Sequence, residues 1–99
     1  MNGSETSLPS GYPDPETVGW LRAEDIAFLD FHIRMTITPG DRIVQLWELE
    51  EGRPVRWIGN VFRIDSEPPW LRLTHQYERR FNRSQRESLA RLGAKFWKS

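Results

Sequence analysis

The sequence predicts a small, mainly β domain of the α+β class: an antiparallel barrel or meander of four to five strands, closed by a C-terminal helix. Three observations lead there. Leu29, Phe31, Ile33, Met35 and Ile37 alternate with polar residues. Runs rich in β-formers recur between short turns. The C-terminal stretch places Leu89, Leu92 and Phe96 at three- and four-residue steps. Period two marks a half-buried strand, and steps of three and four mark an amphipathic helix.

The 99 residues suit one domain. Positions 1–18 hold Gly3, Ser4, Ser7, Pro9, Ser10, Gly11, Pro13 and Pro15 and few apolar groups. Such a segment buries too little surface to offset its ordering entropy, so it reads as a disordered N-terminal tail. The single domain is expected over 19–99, with Trp20 and Leu21 marking its start. A short helical turn from Arg22 to Phe28 is suggested by Glu24 and Asp25 in its first turn, where they suit the helix dipole. The alternating segment 29–37 is the first strand. Pro39-Gly40-Asp41 reads as a turn, and Arg42 to Leu49 as a second strand. The polar loop Glu50 to Pro54 precedes a third strand, Val55 to Asp65. Gly59 inside that strand signals a bulge, a bend or the close approach of another group. Ser66-Glu67-Pro68-Pro69 breaks the chain before a fourth strand, Trp70 to Tyr77. Ser84 and Glu87 have the spacing of a capping box for the final helix. Gly93 weakens that helix by roughly 1 kcal/mol relative to alanine, which favours its closing early, with Lys95 to Lys98 trailing.

Composition excludes several function classes. There are no cysteines, so disulfides and thiolate chemistry are absent. Two histidines, His32 and His75, leave a zinc site short of its usual ligands. Asp30 and His32 share the polar side of their strand, which more often means a surface pair than an acid–base couple. His75 falls on the same predicted face as Leu71, Leu73 and Tyr77, as a partly buried histidine would. No phosphate-cradling glycine loop or nucleophile elbow occurs. The expectation is therefore a non-catalytic binding module without a cofactor. No apolar run reaches the roughly 20 residues of a membrane span, and the first residues lack a signal peptide's pattern. A cytoplasmic or nuclear setting, with no membrane partner, is expected.

The net charge of zero hides an asymmetry. Positions 1–77 carry seven arginines against twelve acids, whereas 78–99 carry five arginines and two lysines against Glu78 and Glu87. The strip Arg79, Arg80, Phe81, Arg83 and Arg86 mixes guanidinium groups with an aromatic, as nucleic-acid surfaces do. The competing reading is a solvated helix start paired with acids on the same chain. Arginines at a helix N-terminus oppose its dipole, so something must offset them.

Five tryptophans are many for this length. Trp47, Trp57 and Trp70 fall near predicted strand ends, where with Tyr77 they could rim a ligand pocket. Aromatic faces attract methylammonium groups and stack on bases. The competing reading is that they fill the core. Trp20 and Trp97 flank this region and would dock the terminal segments.

Two family resemblances follow from these residues. Pro39-Gly40-Asp41 before a strand ending at Trp47, then Ile58-Gly59-Asn60-Val61, Ser66-Glu67-Pro68-Pro69-Trp70 and Leu71-Arg72-Leu73 together resemble a small β-barrel of the PUA-like group, in particular its EVE-type members. That resemblance implies binding of DNA or RNA, with a modified base read by an aromatic pocket. Gly40-Asp41, Trp47, Trp57, Ile64-Asp65 and Tyr77 also resemble Tudor-type SH3-like barrels, which implies a methylated peptide or a protein partner. Thr74 and Arg79 depart from the Tudor pattern at expected cage positions.

Overall fold

The computed structural model describes residues 21–37, 40 and 42–99. The tail expected over 1–18, Trp20, and Pro39 and Asp41 of the predicted turn lie outside the described residues. Five antiparallel strands form one sheet in the order β1-β2-β3-β4-β5, followed by two helices. The strands are β1 Arg22–Phe28, β2 Phe31–Ile37, β3 Val44–Glu50, β4 Arg53–Phe62 and β5 Trp70–Leu73. A one-turn helix, α1, spans His75–Glu78, and α2 spans Arg83–Lys98. Each strand pairs with its sequence neighbour, and the sheet is an open meander rather than a closed barrel.

The segment suggested as a helical turn, Arg22–Phe28, is strand β1 instead. Its Arg22, Glu24, Ile26 and Phe28 alternate with smaller or charged groups. Pairing with β2 over Arg22↔Ile37 to Phe28↔Phe31 turns Ile26 and Phe28 towards the core. Local acid placement favoured a helix, but seven cross-strand partners outweigh that preference. Leu29 and Asp30 make the two-residue hairpin turn, and Leu29 has φ 55°. That left-handed conformation suits a tight hairpin, so Leu29 leaves the strand and stands exposed.

One sheet face is apolar. Ile33, Met35, Ile37, Val44, Leu46, Ile58 and Val61 are buried there with Leu89, Ala94 and Phe96 of α2. Neighbours directly opposite across antiparallel strands share a face, so Thr36, Gln45 and Asn60 lie on the other one. The register shifts between Leu46 and Trp47, where Leu46 faces Gly59 and Trp47 faces Trp57. Ile58 is the extra residue of this bulge. A methyl group on Gly59 would overlap the Arg72 carbonyl oxygen and lie 2.9 Å from Leu73 Cα. Close approach of β5 therefore explains this glycine.

The final helix neither starts nor ends as predicted. Asn82, not Ser84, is the cap: its side chain accepts from the Gln85 N–H at 2.8 Å, while the Gln85 side chain accepts from the Asn82 N–H at 2.9 Å. The helix then runs through Gly93 to Lys98. Gly93 is buried where a Cβ would stand 2.7 Å from a Val61 methyl, so its absent side chain lets α2 reach β4. Arg22 fastens the far end, donating to the carbonyls of Phe96 at 2.8 Å and Trp97 at 2.9 Å. A cation there also complements the helix dipole. Gly93→Ala should therefore destabilise by about 1–3 kcal/mol through overpacking. Propensity alone would favour alanine, so a rise in the thermal midpoint would refute the packing explanation.

Candidate functional site

Of the four aromatics proposed to rim a pocket, Trp47 and Trp57 are brought together and the other two lie elsewhere. Trp47 is 2 % exposed, and its indole N–H donates to Thr36 Oγ1 at 2.9 Å. Trp57, its register partner, donates from Nε1 to Gln45 Oε1 at 2.9 Å and is half-buried. Both lie on the sheet face away from α2. Tyr77 belongs to α1 rather than to a longer fourth strand, because β5 ends at Leu73. It is 0 % exposed in the apolar core, on the α2 side, with its ring edge-on to Phe31.

The Tyr77 hydroxyl donates to Glu48 Oε1, which also accepts from Arg56 at 3.3 Å. Burial first, and then the hydrogen bond to the Glu48 carboxylate, push the Tyr77 phenol up to about 12 from 10.0. Because the folded-state value is raised, this group's stabilisation is complete below pH 10. It declines as the pH rises from about 10 to about 12. The urea midpoint of wild type should therefore fall across that window more steeply than that of Tyr77→Phe. Equal slopes would remove Tyr77 as the cause.

The basic strip divides into structural and exposed parts. Phe81 is 2 % exposed and packs edge-on to Phe28 and Phe31, so it is a core residue. Arg80 lies over the Phe31 and Tyr77 rings, 5.5 Å from each centroid. Arg83 approaches Glu87 at 3.7 Å. Arg86 turns back to the carbonyls of Phe81 and Glu78, which offsets part of its conflict with the helix dipole. Arg79 is exposed on the turn after α1. His75 is exposed at the start of α1, with Nδ1 3.3 Å from Glu78 Oε1, rather than partly buried. The expected strand phase failed there because the chain had already turned. His32 is exposed opposite Ala27. Trp97 packs against the core, as expected of a residue docking a terminal segment.

Trp70 stands apart from the other indoles described. It is 50 % exposed and lies opposite Phe62 across β4 and β5, with ring centroids 5.7 Å apart. The Arg63 guanidinium lies 4.4 Å from the Trp70 centroid, and that of Arg72 lies 5.0 Å from the Phe62 centroid. The result is an alternating array: Arg63, Trp70, Phe62, Arg72. Among the described residues neither arginine has a carboxylate partner within ion-pair distance, whereas nearby acids are already engaged. Asp65 meets Arg42 at 3.4 Å and Lys98 at 3.7 Å, and Glu67 meets Arg91 at 3.5 Å.

An open cleft of about 230 Å³ lined by Phe62, Arg72, Glu78 and Arg86 joins this array to the basic strip. Arg63, Arg72 and Phe62 were not singled out in the sequence. The signal that could have found them is the Ser66 to Pro69 turn: a hairpin across it sets Phe62 opposite Trp70 and gathers the flanking arginines. No helix among the described residues is long and apolar enough to cross a membrane. No family model matches the chain, and no curated protein or solved structure matches it.

Proposed function

We propose that this domain binds single-stranded nucleic acid along the β4–β5 edge of its sheet. The observation that carries the reading is the half-exposed Trp70, edge-on to Phe62 and flanked by Arg63 and Arg72, two cations without carboxylate partners among the described residues. An exposed indole offers a π-face to a base, and free guanidinium groups beside it hold phosphates. Arg86, which lines the cleft, adds a third cation to the track. The PUA-like resemblance agrees with a nucleic-acid ligand. A methylammonium cage, in contrast, needs converging aromatics, and Trp47 and Tyr77 lie on opposite sides of the sheet.

The test is fluorescence-anisotropy titration of a labelled 12-nucleotide DNA and its RNA counterpart at several salt concentrations. Three phosphate contacts to a single strand predict a slope of log K against log salt near about −2. Absence of binding at low salt refutes the reading. A protein partner would then become the better account, because β1 is paired on one side only and the exposed Leu21 and Leu29 flank it.

A further inference from the structure

On the sheet face away from α2, four polar residues stand directly opposite one another across four strands. The row is Thr36 on β2, Gln45 on β3, Asn60 on β4 and Arg72 on β5. The first two are tied down, since Thr36 accepts from the Trp47 indole and Gln45 from the Trp57 indole. Asn60 is different. It is 6 % exposed, and its Oδ1 has no hydrogen-bond partner among the described residues. Asparagine is a poor strand residue, and an unpaired buried carbonyl forfeits its hydration.

Its position does suggest a use. Asn60 precedes Phe62 by two residues on the same face, so it lies roughly 7 Å inboard of the Trp70–Phe62 platform. The residue opposite it, Arg72, is exposed and rests on the Phe62 ring without an ion pair among the described residues. A base stacked at Trp70 and extending inward then presents its edge to Asn60.

We infer that Asn60 reads the Hoogsteen edge of the stacked base and selects one whose exocyclic amine lies on that edge, adenine or cytosine, over thymine, which presents only an acceptor there. The amine donates to the orphaned Oδ1, and in adenine N7 also accepts from the amide N–H in the paired geometry that asparagine makes with that base. The inference deepens the nucleic-acid reading above and rests on it.

The experiment measures the affinity of wild type and of Asn60→Leu for 12-nucleotide oligo-dA, oligo-dC and oligo-dT, with thermal midpoints recorded alongside. Wild type should bind oligo-dA or oligo-dC at least about fivefold more tightly than oligo-dT. Asn60→Leu should lose that ratio while keeping its affinity for oligo-dT. If leucine prevents folding, Asn60→Thr, which suits a strand, carries the same comparison. Wild type binding all three equally, or a variant that keeps the wild-type ratio, overturns the role of Asn60 and leaves the binding surface standing. Wild type binding none of them removes the surface and this inference together.

Discussion

Trp70→Ala should weaken oligonucleotide binding by about 5- to 150-fold, the equivalent of the roughly 1–3 kcal/mol that stacking one base on an aromatic contributes. The fold should survive. Trp70 is 50 % exposed at the sheet edge, and the contacts it would lose are the edge-on Phe62 ring and the Arg63 guanidinium. Together these contribute about 1–2 kcal/mol. Trp70→Phe should recover much of the affinity, because a smaller π-face remains. Arg63→Gln should flatten the salt dependence by about one phosphate contact across all sequences. Circular dichroism and anisotropy on the same samples separate folding from binding. Unchanged affinity in a folded Trp70→Ala protein would remove the platform from the binding surface.

Trp47→Ala should produce the opposite pattern, a large loss of stability of about 3–5 kcal/mol. Its indole is 2 % exposed and donates to the hydroxyl of Thr36, which is itself fully buried. Truncation leaves both a void and a hydroxyl without its donor, and the two penalties add. Domains of this size are stable by only about 5–15 kcal/mol in total. The thermal midpoint should therefore drop by at least about 12 °C. Trp47→Phe should fall between, since it restores most of the volume but not the N–H. A midpoint within a few degrees of wild type for Trp47→Ala would show that this indole is no part of the packed structure.

Those two variants separate the roles that a count of tryptophans could not. Both residues were candidates for one ligand pocket on the same ground, proximity to predicted turns. One indole is enclosed and the other stands at the edge. The difference comes from register. The bulge at Ile58 sets Trp57 against Trp47 in the middle of the sheet, while Trp70 begins the last strand. Tyr77 illustrates a second way in which local reading stops short. Continuing the alternation of Leu71 and Leu73 extends the strand to residue 77. The chain instead turns at Thr74, and Tyr77 meets Glu48 from a strand 29 positions earlier.

What the sequence determined by itself is whatever short-range chemistry controls. The alternation over 29–37 specified a half-buried strand, which forms over 31–37, and the Gly52 loop and the Ser66 to Pro69 cluster marked two reversals, though not the one at Leu29 and Asp30. Gly59 signalled a bulge, a bend or a close approach, and the apolar steps from Leu89 to Phe96 specified a helix with one buried face. Tertiary structure alone decided the rest. It made Arg22–Phe28 a strand by supplying β2 as its partner, and it extended α2 through Gly93 because Val61 fills the space a side chain would need. It also left Arg63 and Arg72 beside an exposed indole without carboxylate partners among the described residues. Periodicity and turn propensity act over a few residues and are written in local sequence. Partner, register and charge pairing join residues far apart in the chain, so they exist only once the sheet has formed.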